Sequence, residues 1–167
     1  MLLHWPQPDH RRGAWQVLEE MHLVGDLPAI GVSNFMEGHL CELLDSARVV
    51  PAANQIQLSP FLQQRGVRDI CRKSGIAVAA YSPLTKGRRL DHPVLARIAA
   101  RQGATAAQVL LAWGLQAGAA VLPKSVRPDR IVENIALSSV RLDAEDVAAL
   151  DALEENLVTG WNPPEIV

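Results

Sequence analysis

The run AIGVSNFMEGHLCELLDSARVVPAANQIQL, residues 29–58, holds one full period of the fold. Its two ends, Ala29 to Ser33 and Ala52 to Leu58, are short runs carrying apolar residues, of strand length, and bounded by Pro28, Asn34, Pro51 and Ser59. Between them Leu40, Leu43, Leu44 and Ala47 recur at the spacing of a helix with one buried face. Strands separated by a helix cannot form a hairpin, and this crossover is long enough to return the chain parallel to its start.

The same rhythm extends in both directions. Leu2 to Trp5, Ile76 to Tyr81 and Ala119 to Leu122 also read as strands, which makes five. Ala14, Val17, Leu18 and Met21 predict a helix after the first strand, and Val67, Ile70 and Cys71 a weaker one after the third. Thr105 and Gln108 form a capping box, Asp143 reads as an N-cap with Leu142 and Val147 placed as a hydrophobic staple, and Gly114 with Gly118 reads as close packing inside a helix. These are structural signals. No linker-like shift in composition interrupts the pattern, so a single α/β domain over residues 1–167 with a parallel sheet is expected.

With 167 residues and 49% hydrophobic side chains, the chain can bury a core of ordinary size. The strand–helix rhythm suits a (β/α)8 barrel, yet such barrels rarely use fewer than ~200 residues and typically use ~250. The expectation is a partial (β/α)8 TIM barrel of about five of the eight strand–helix units, opening directly on a strand as it would if its leading units were absent. Five such strands leave two unpaired edges and an uncovered apolar interior, which invite self-association. The rival is a five-stranded doubly wound domain, complete at this length, but the Gly-rich first turn of that fold is missing.

A net charge of -2 and a pI near 6.2 provide no basic stripe for a nucleic-acid partner, and no apolar run reaches the ~18 residues of a membrane span. Cys41 and Cys71 fit neither a disulfide framework nor a zinc site and read as reduced thiols. No secretory signal follows Met1, so a cytoplasmic location is expected. His10, His22, His39 and His92 are scattered without HxxxH or HExxH spacing, which argues against a metal site.

The candidate functional residues fall at strand ends. Lys124, Arg127 and Arg130 crowd the start of a helix that opens with Pro128 at N1. Cations are mildly unfavourable there, by ~0.3–1 kcal/mol each, so a bound anion such as phosphate would offset the conflict. A solvated basic turn with Asp129 as its counter-charge accounts for the same residues. Gly31 to Phe35 departs from the G-x-S-x-G nucleophile elbow at Phe35. Ser33, Asn34 and Gln55 instead offer a hydroxyl and two amides at the ends of successive strands, suited to holding a polar planar group. Tyr81, the only tyrosine, could donate a proton, stack on a ligand or fill space. His4 ends the first strand, where a donor to a developing oxyanion would sit.

Taken together, Leu3-His4-Trp5-Pro6, Ile30 to Phe35, Asn54 to Gln57, Ala80 to Leu84, and Leu122 to Val126 followed by Arg130, Glu133 and Asn134 resemble the C-terminal portion of the aldo-keto reductase family, without its first three strand–helix units. The resemblance runs from Leu2 to Thr159. It implies an NADP-dependent oxidoreductase that uses NADPH to reduce small-molecule aldehydes or ketones to alcohols. Ser33, Asn34 and Gln55 would hold the nicotinamide carboxamide, and Tyr81 would stack on that ring. Ser82 and Leu84 would lie along the pyrophosphate. Lys124, Ser125, Val126 and Arg130 would take the adenosine 2′-phosphate, with Glu133 and Asn134 on the adenine. His4 would be the catalytic histidine and Trp5 a wall of the substrate pocket. The family's tyrosine acid and the lysine and aspartate that tune it lie on earlier strands and have no counterpart here. The chain alone is therefore expected to be truncated and inactive; a catalytically dead nucleotide-binding or interaction module derived from the same fold is the alternative. Gly160 to Pro164 would belong to a substrate-selecting loop.

Overall fold

The computed structural model describes residues 1–160. The loop residues Trp161 to Pro164 lie outside them. In chain order the elements are β1 (Leu2–Leu3), α1 (Arg11–Leu23), β2 (Gly31–Ser33), α2 (Glu37–Leu44), β3 (Ala53–Gln57), α3 (Arg65–Lys73), β4 (Ala77–Tyr81), α4 (Pro93–Gln102), α5 (Ala106–Gln116), β5 (Ala119–Leu122), α6 (Pro128–Ile135) and α7 (Ala144–Asp151). The five strands form one sheet in the order β1-β2-β3-β4-β5. Leu2 pairs with Gly31 and Val32 with Asn54 in parallel register. The five strands and the helix that follows each of the first three are where the sequence pattern predicts them.

Contacts divide the chain into two compact units: Met1–Ile56 with Gln64–Ala79 and Gly160, and Gln57–Gln63 with Ala80–Thr159. In the first, Val32, Phe35, Leu40 and Ile56 are fully buried. Gly31 permits the close strand approach there: a Cβ would stand 2.6 Å from the Ala53 carbonyl oxygen and 2.8 Å from Leu2. In the second unit the core is Leu95, Ile98, Val109, Leu110, Leu111 and Leu150, contributed by α4, α5 and α7. Arg101 of α4 reaches both Asp143 and Asp146 at the start of α7. Asp143 caps α7 as expected, its Oδ1 accepting from the Asp146 amide at 2.8 Å. Gly114 is tightly packed, since a Cβ would meet Val121 at 2.6 Å. Gly118 lies past the end of α5 with φ at +82°, so the two glycines do not share a helix.

Two expectations change. Helix α4 was not anticipated; His92 caps it by accepting from the Val94 amide, Pro93 opens it, and Gly103 closes it in left-handed geometry. In α1 the buried residues are Trp15 and Glu19, whereas Val17 and Met21 are exposed. The reason is polar. The Glu19 carboxylate accepts hydrogen bonds from the Trp15 indole at 3.1 Å and from the amides of Arg48 and Val49 at 2.6 and 2.9 Å, which offset the cost of its burial. Burial by itself would push the carboxyl up; the amides of Val49 and Arg48 and the Arg48 guanidinium outweigh it and hold its pKa below the usual carboxylate value.

The stability that ionised Glu19 contributes is complete above its unfolded-chain pKa of about 4.3 and drains away as the pH falls through the lower native value. Glu19→Gln leaves the two amides with a poorer acceptor and is expected to cost about 1–3 kcal/mol at neutral pH. Urea denaturation should show that loss at pH 7 and a smaller difference from the parent near pH 3.

Candidate functional site

Parallel strands bring their carboxyl ends to one edge, and in the first unit the hydrogen bonds there are specific. The Ser33 hydroxyl and the Asn34 amide N–H both donate to the Gln55 carbonyl at 2.9 Å. The Asn34 side-chain amide donates to the His4 carbonyl and to Ser33 Oγ, each at 3.1 Å. One buried side chain thus links the ends of β1 and β2, and through Ser33 the middle of β3. Asn34 does this from φ +62°, a left-handed conformation that Asn tolerates better than most residues. The His4 side chain is exposed; its ring lies 5.6 Å from that of half-buried Trp5 at a tilt of 38°. His4, Trp5, Ser33 and Asn34 are therefore grouped at the ends of β1 and β2, beside Gln55 at the middle of β3.

Asn34→Gly keeps the backbone conformation and loses the two side-chain donations, whereas Asn34→Ala loses both. Chemical denaturation should find Ala less stable than Gly by about 1 kcal/mol at this position, against the usual order of the two residues.

The second unit holds a cavity of about 690 Å³ lined by Ser82, Leu84, Lys124, Ser125, Arg130, Glu133 and Asn134, together with Lys86, Gly87, Leu90, Thr105, Ala106, Ala107 and Leu122. The turn that supplies Ser82, Leu84 and Lys86 to it is strained: Ser82, Thr85 and Lys86 have φ of +48°, +52° and +52°, and a β-branched residue such as Thr85, itself outside the lining, rarely adopts that geometry. Tyr81 and Val126 are outside the lining; Tyr81 is half-buried and Val126 is 79% exposed. Burial pushes the Tyr81 phenol up, so its proton is held more firmly than in water.

The basic cluster separates into two parts. Arg127 is turned onto Asp129, with contacts of 2.6 and 3.2 Å, and Asp129 is held below the ordinary carboxylate range by that guanidinium. Lys124 and Arg130 line the cavity instead. A local counter-charge accounts for one cation and leaves two facing the cavity beside the Ser125 hydroxyl. Leu84, Leu90, Ala106, Ala107 and Leu122 supply apolar surface for a planar ring, and Glu133 and Asn134 supply an acceptor and an amide at its border. Asn134 is only 7% exposed, and among the described residues its side-chain amide has no hydrogen-bond partner.

Lys86 and Thr105 line the cavity but were not singled out as functional by the sequence. Lys86 Nζ donates to the Thr159 carbonyl at 2.7 Å. Its only signal is a position two residues after Leu84. Three of the scattered histidines have local partners. His39 Nδ1 accepts from the Met36 amide, His92 Nδ1 from the Val94 amide, and His22 Nδ1 meets the Leu27 carbonyl at 2.7 Å.

Five parallel strands in chain order, with polar side chains at their carboxyl ends, define a (β/α)-barrel type of protein. Residues 1–155 match the aldo/keto reductase family, and the chain belongs to that family. It is 42% identical over 166 residues to the glyoxal reductase of Bacillus subtilis, covering 99% of this chain and 60% of that protein. It is 37% identical to the 9,11-endoperoxide prostaglandin H2 reductase of Trypanosoma cruzi, covering 97% of this chain and 58% of that protein. The chain thus spans about three-fifths of the length of these curated relatives. Among solved structures, a Gox0644 variant in complex with NADPH superposes with a TM-score of 0.90 at 39% identity, covering 98% of this chain and 61% of that one. An aldo-keto reductase of the silkworm Bombyx mori in complex with NADP gives 0.86 at 30% identity, covering 95% and 58%. The fold is accordingly a partial (β/α)8 barrel with five of its eight strands, and the doubly wound alternative is set aside.

Proposed function

We propose that this chain is the cofactor-binding portion of an NADPH-dependent carbonyl reductase. The observation that supports this best is the cavity of the second unit, where Lys124, Ser125 and Arg130 stand beside apolar walls and an acceptor–amide pair. That donor set fits an adenosine carrying a 2′-phosphate. Lys124 and Arg130 take the phosphate by charge-assisted hydrogen bonds, Glu133 and Asn134 take the adenine edge, and Ser82 and Leu84 lie along the pyrophosphate. Ser33, Asn34 and Gln55 hold the carboxamide, and Tyr81 offers its ring to the nicotinamide. Val126, exposed as it is, serves as a neighbour of the phosphate site rather than a wall.

When bound, reduced NADP supplies a hydride to a carbonyl carbon. This chain's part in the chemistry falls to His4, whose ring N–H donates to the substrate oxygen as negative charge develops there. Trp5, in ring contact with His4, borders the substrate. The proton that completes the alcohol needs another source. Tyr81 is the single tyrosine in the 167 residues, and burial raises its phenol pKa instead of lowering it. The chain by itself therefore binds the nucleotide without turning over carbonyls. The similarity to a glyoxal reductase makes glyoxal the first carbonyl to test.

Calorimetric titration of the 167-residue chain is expected to show NADPH bound at least tenfold more tightly than NADH. Lys124→Met and Arg130→Met should each narrow that preference by about three- to tenfold, because both cations are solvent-accessible and only partly desolvated on binding. No oxidation of NADPH with glyoxal is expected. Equal binding of the two nucleotides, or variants that bind as the parent does, would remove the proposal.

A further inference from the structure

The capping box of α5 does more than begin a helix. Thr105 Oγ1 accepts from the Gln108 amide at 3.2 Å, and Gln108 Oε1 accepts from the Thr105 amide at 3.0 Å, which completes the box. A threonine hydroxyl also has a proton to give, and here it goes to Glu133 Oε1 at 2.8 Å. The Gln108 side-chain NH2 donates to the carbonyls of Glu133 and Ala136 at 3.1 and 2.8 Å. The two capping side chains therefore grip the last turn of α6 at its backbone and at one carboxylate.

That grip matters because α6 has little else on its outer face. Ile131, Val132 and Ile135 are 44%, 69% and 77% exposed. The same helix carries Arg130, Glu133 and Asn134 into the cavity. With Oε1 engaged by Thr105, Oε2 is the Glu133 oxygen left, among the described residues, to accept from a ligand. A carboxylate oxygen held in one orientation accepts an amino group and repels a carbonyl oxygen at the same place.

We infer that Thr105 is a positioning residue for base recognition: it fixes the Glu133 carboxylate so that the cavity selects a purine with a 6-amino group over one with a 6-oxo group. The inference rests on the cavity being the adenosine site. It separates two preferences carried by different residues, NADPH over NADH by Lys124 and Arg130, and the 6-amino over the 6-oxo base by Glu133 under the control of Thr105.

The test is calorimetric titration of the 167-residue chain with NADPH, NADH and the reduced hypoxanthine analogue of NADPH, in which the 6-amino group is replaced by oxygen. The parent is expected to prefer NADPH over the hypoxanthine analogue by about tenfold, the worth of one charged hydrogen bond. Thr105→Val should bring that ratio close to one and leave the preference for NADPH over NADH in place, and Thr105→Ser should restore it. Should the valine variant fold poorly, Glu133→Gln asks the same question, since an amide can donate to the 6-oxo group and should shift the preference toward the analogue. Loss of both preferences together in Thr105→Val, with no recovery in Thr105→Ser, would mark a merely structural cap and overturn the inference. So would an unchanged base preference. If Arg130→Met leaves the NADPH-over-NADH ratio untouched, the assignment of the cavity fails first and takes this inference with it.

Discussion

Parallel pairing of strands in chain order is the constraint from which the site follows. Each strand must run the same way as its predecessor, so every loop that leaves a strand's carboxyl end starts from one edge, and every helix that returns the chain is a crossover. His4, Asn34 and Gln55 are far apart in sequence and are brought together on three neighbouring strands, the first two just past strand ends and Gln55 within β3. The constraint is tight in the middle of the first unit. Gly31 sits where a Cβ would strike the backbone of Ala53, so the identity of one residue sets how closely β2 can sit between its neighbours.

Electrostatics then decides which of the crowded cations are available. Lys124, Arg127 and Arg130 all lie near the positive end of α6, an arrangement that costs free energy unless something negative is near. Asp129 neutralises Arg127 locally, at 2.6 Å, and does so on an exposed surface where the pair contributes little to stability. Two cations remain on the cavity, where a bound phosphate would be partly shielded from water and its hydrogen bonds correspondingly stronger. The solvated-turn reading therefore accounts for Arg127 alone and leaves Lys124 and Arg130 on the cavity.

The strands were legible because residues 29–33 and 76–81 are short, mostly apolar runs that stand out against the turns around them, and because 52–58, although it carries Asn54, Gln55 and Gln57, is of strand length and bounded by Pro51 and Ser59. The helix α4 was less so. Its apolar residues are separated by Arg97, Arg101 and several alanines, and its start depends on a histidine cap, an uncommon choice. The face of α1 was misjudged for a physical reason: apolar counting selects Val17 and Met21 and cannot foresee that the amides of Arg48 and Val49 make Glu19 a better occupant of the interior. The polar strand-end residues were visible by position, but the bonds among them were not, because Asn34 takes up a left-handed backbone that no local pattern announces.

The two helix caps read from the sequence show what a motif leaves unsaid. Asp143 and Thr105 both accept from a backbone amide three residues on, and by that criterion they are equivalent. Their chemistry differs in what remains. A carboxylate has only further lone pairs, and Asp143 uses one to meet Arg101 at 3.0 Å on the exposed surface of the second unit. A hydroxyl has a proton, and a cap that already accepts must spend that proton on some acceptor close by. In Thr105 the acceptor is Glu133, a residue at the border of the cavity. The capping box was legible as the start of a helix because its geometry is local; its reach to a second helix was not, because the direction of a hydroxyl proton depends on whichever acceptor the tertiary fold brings within reach.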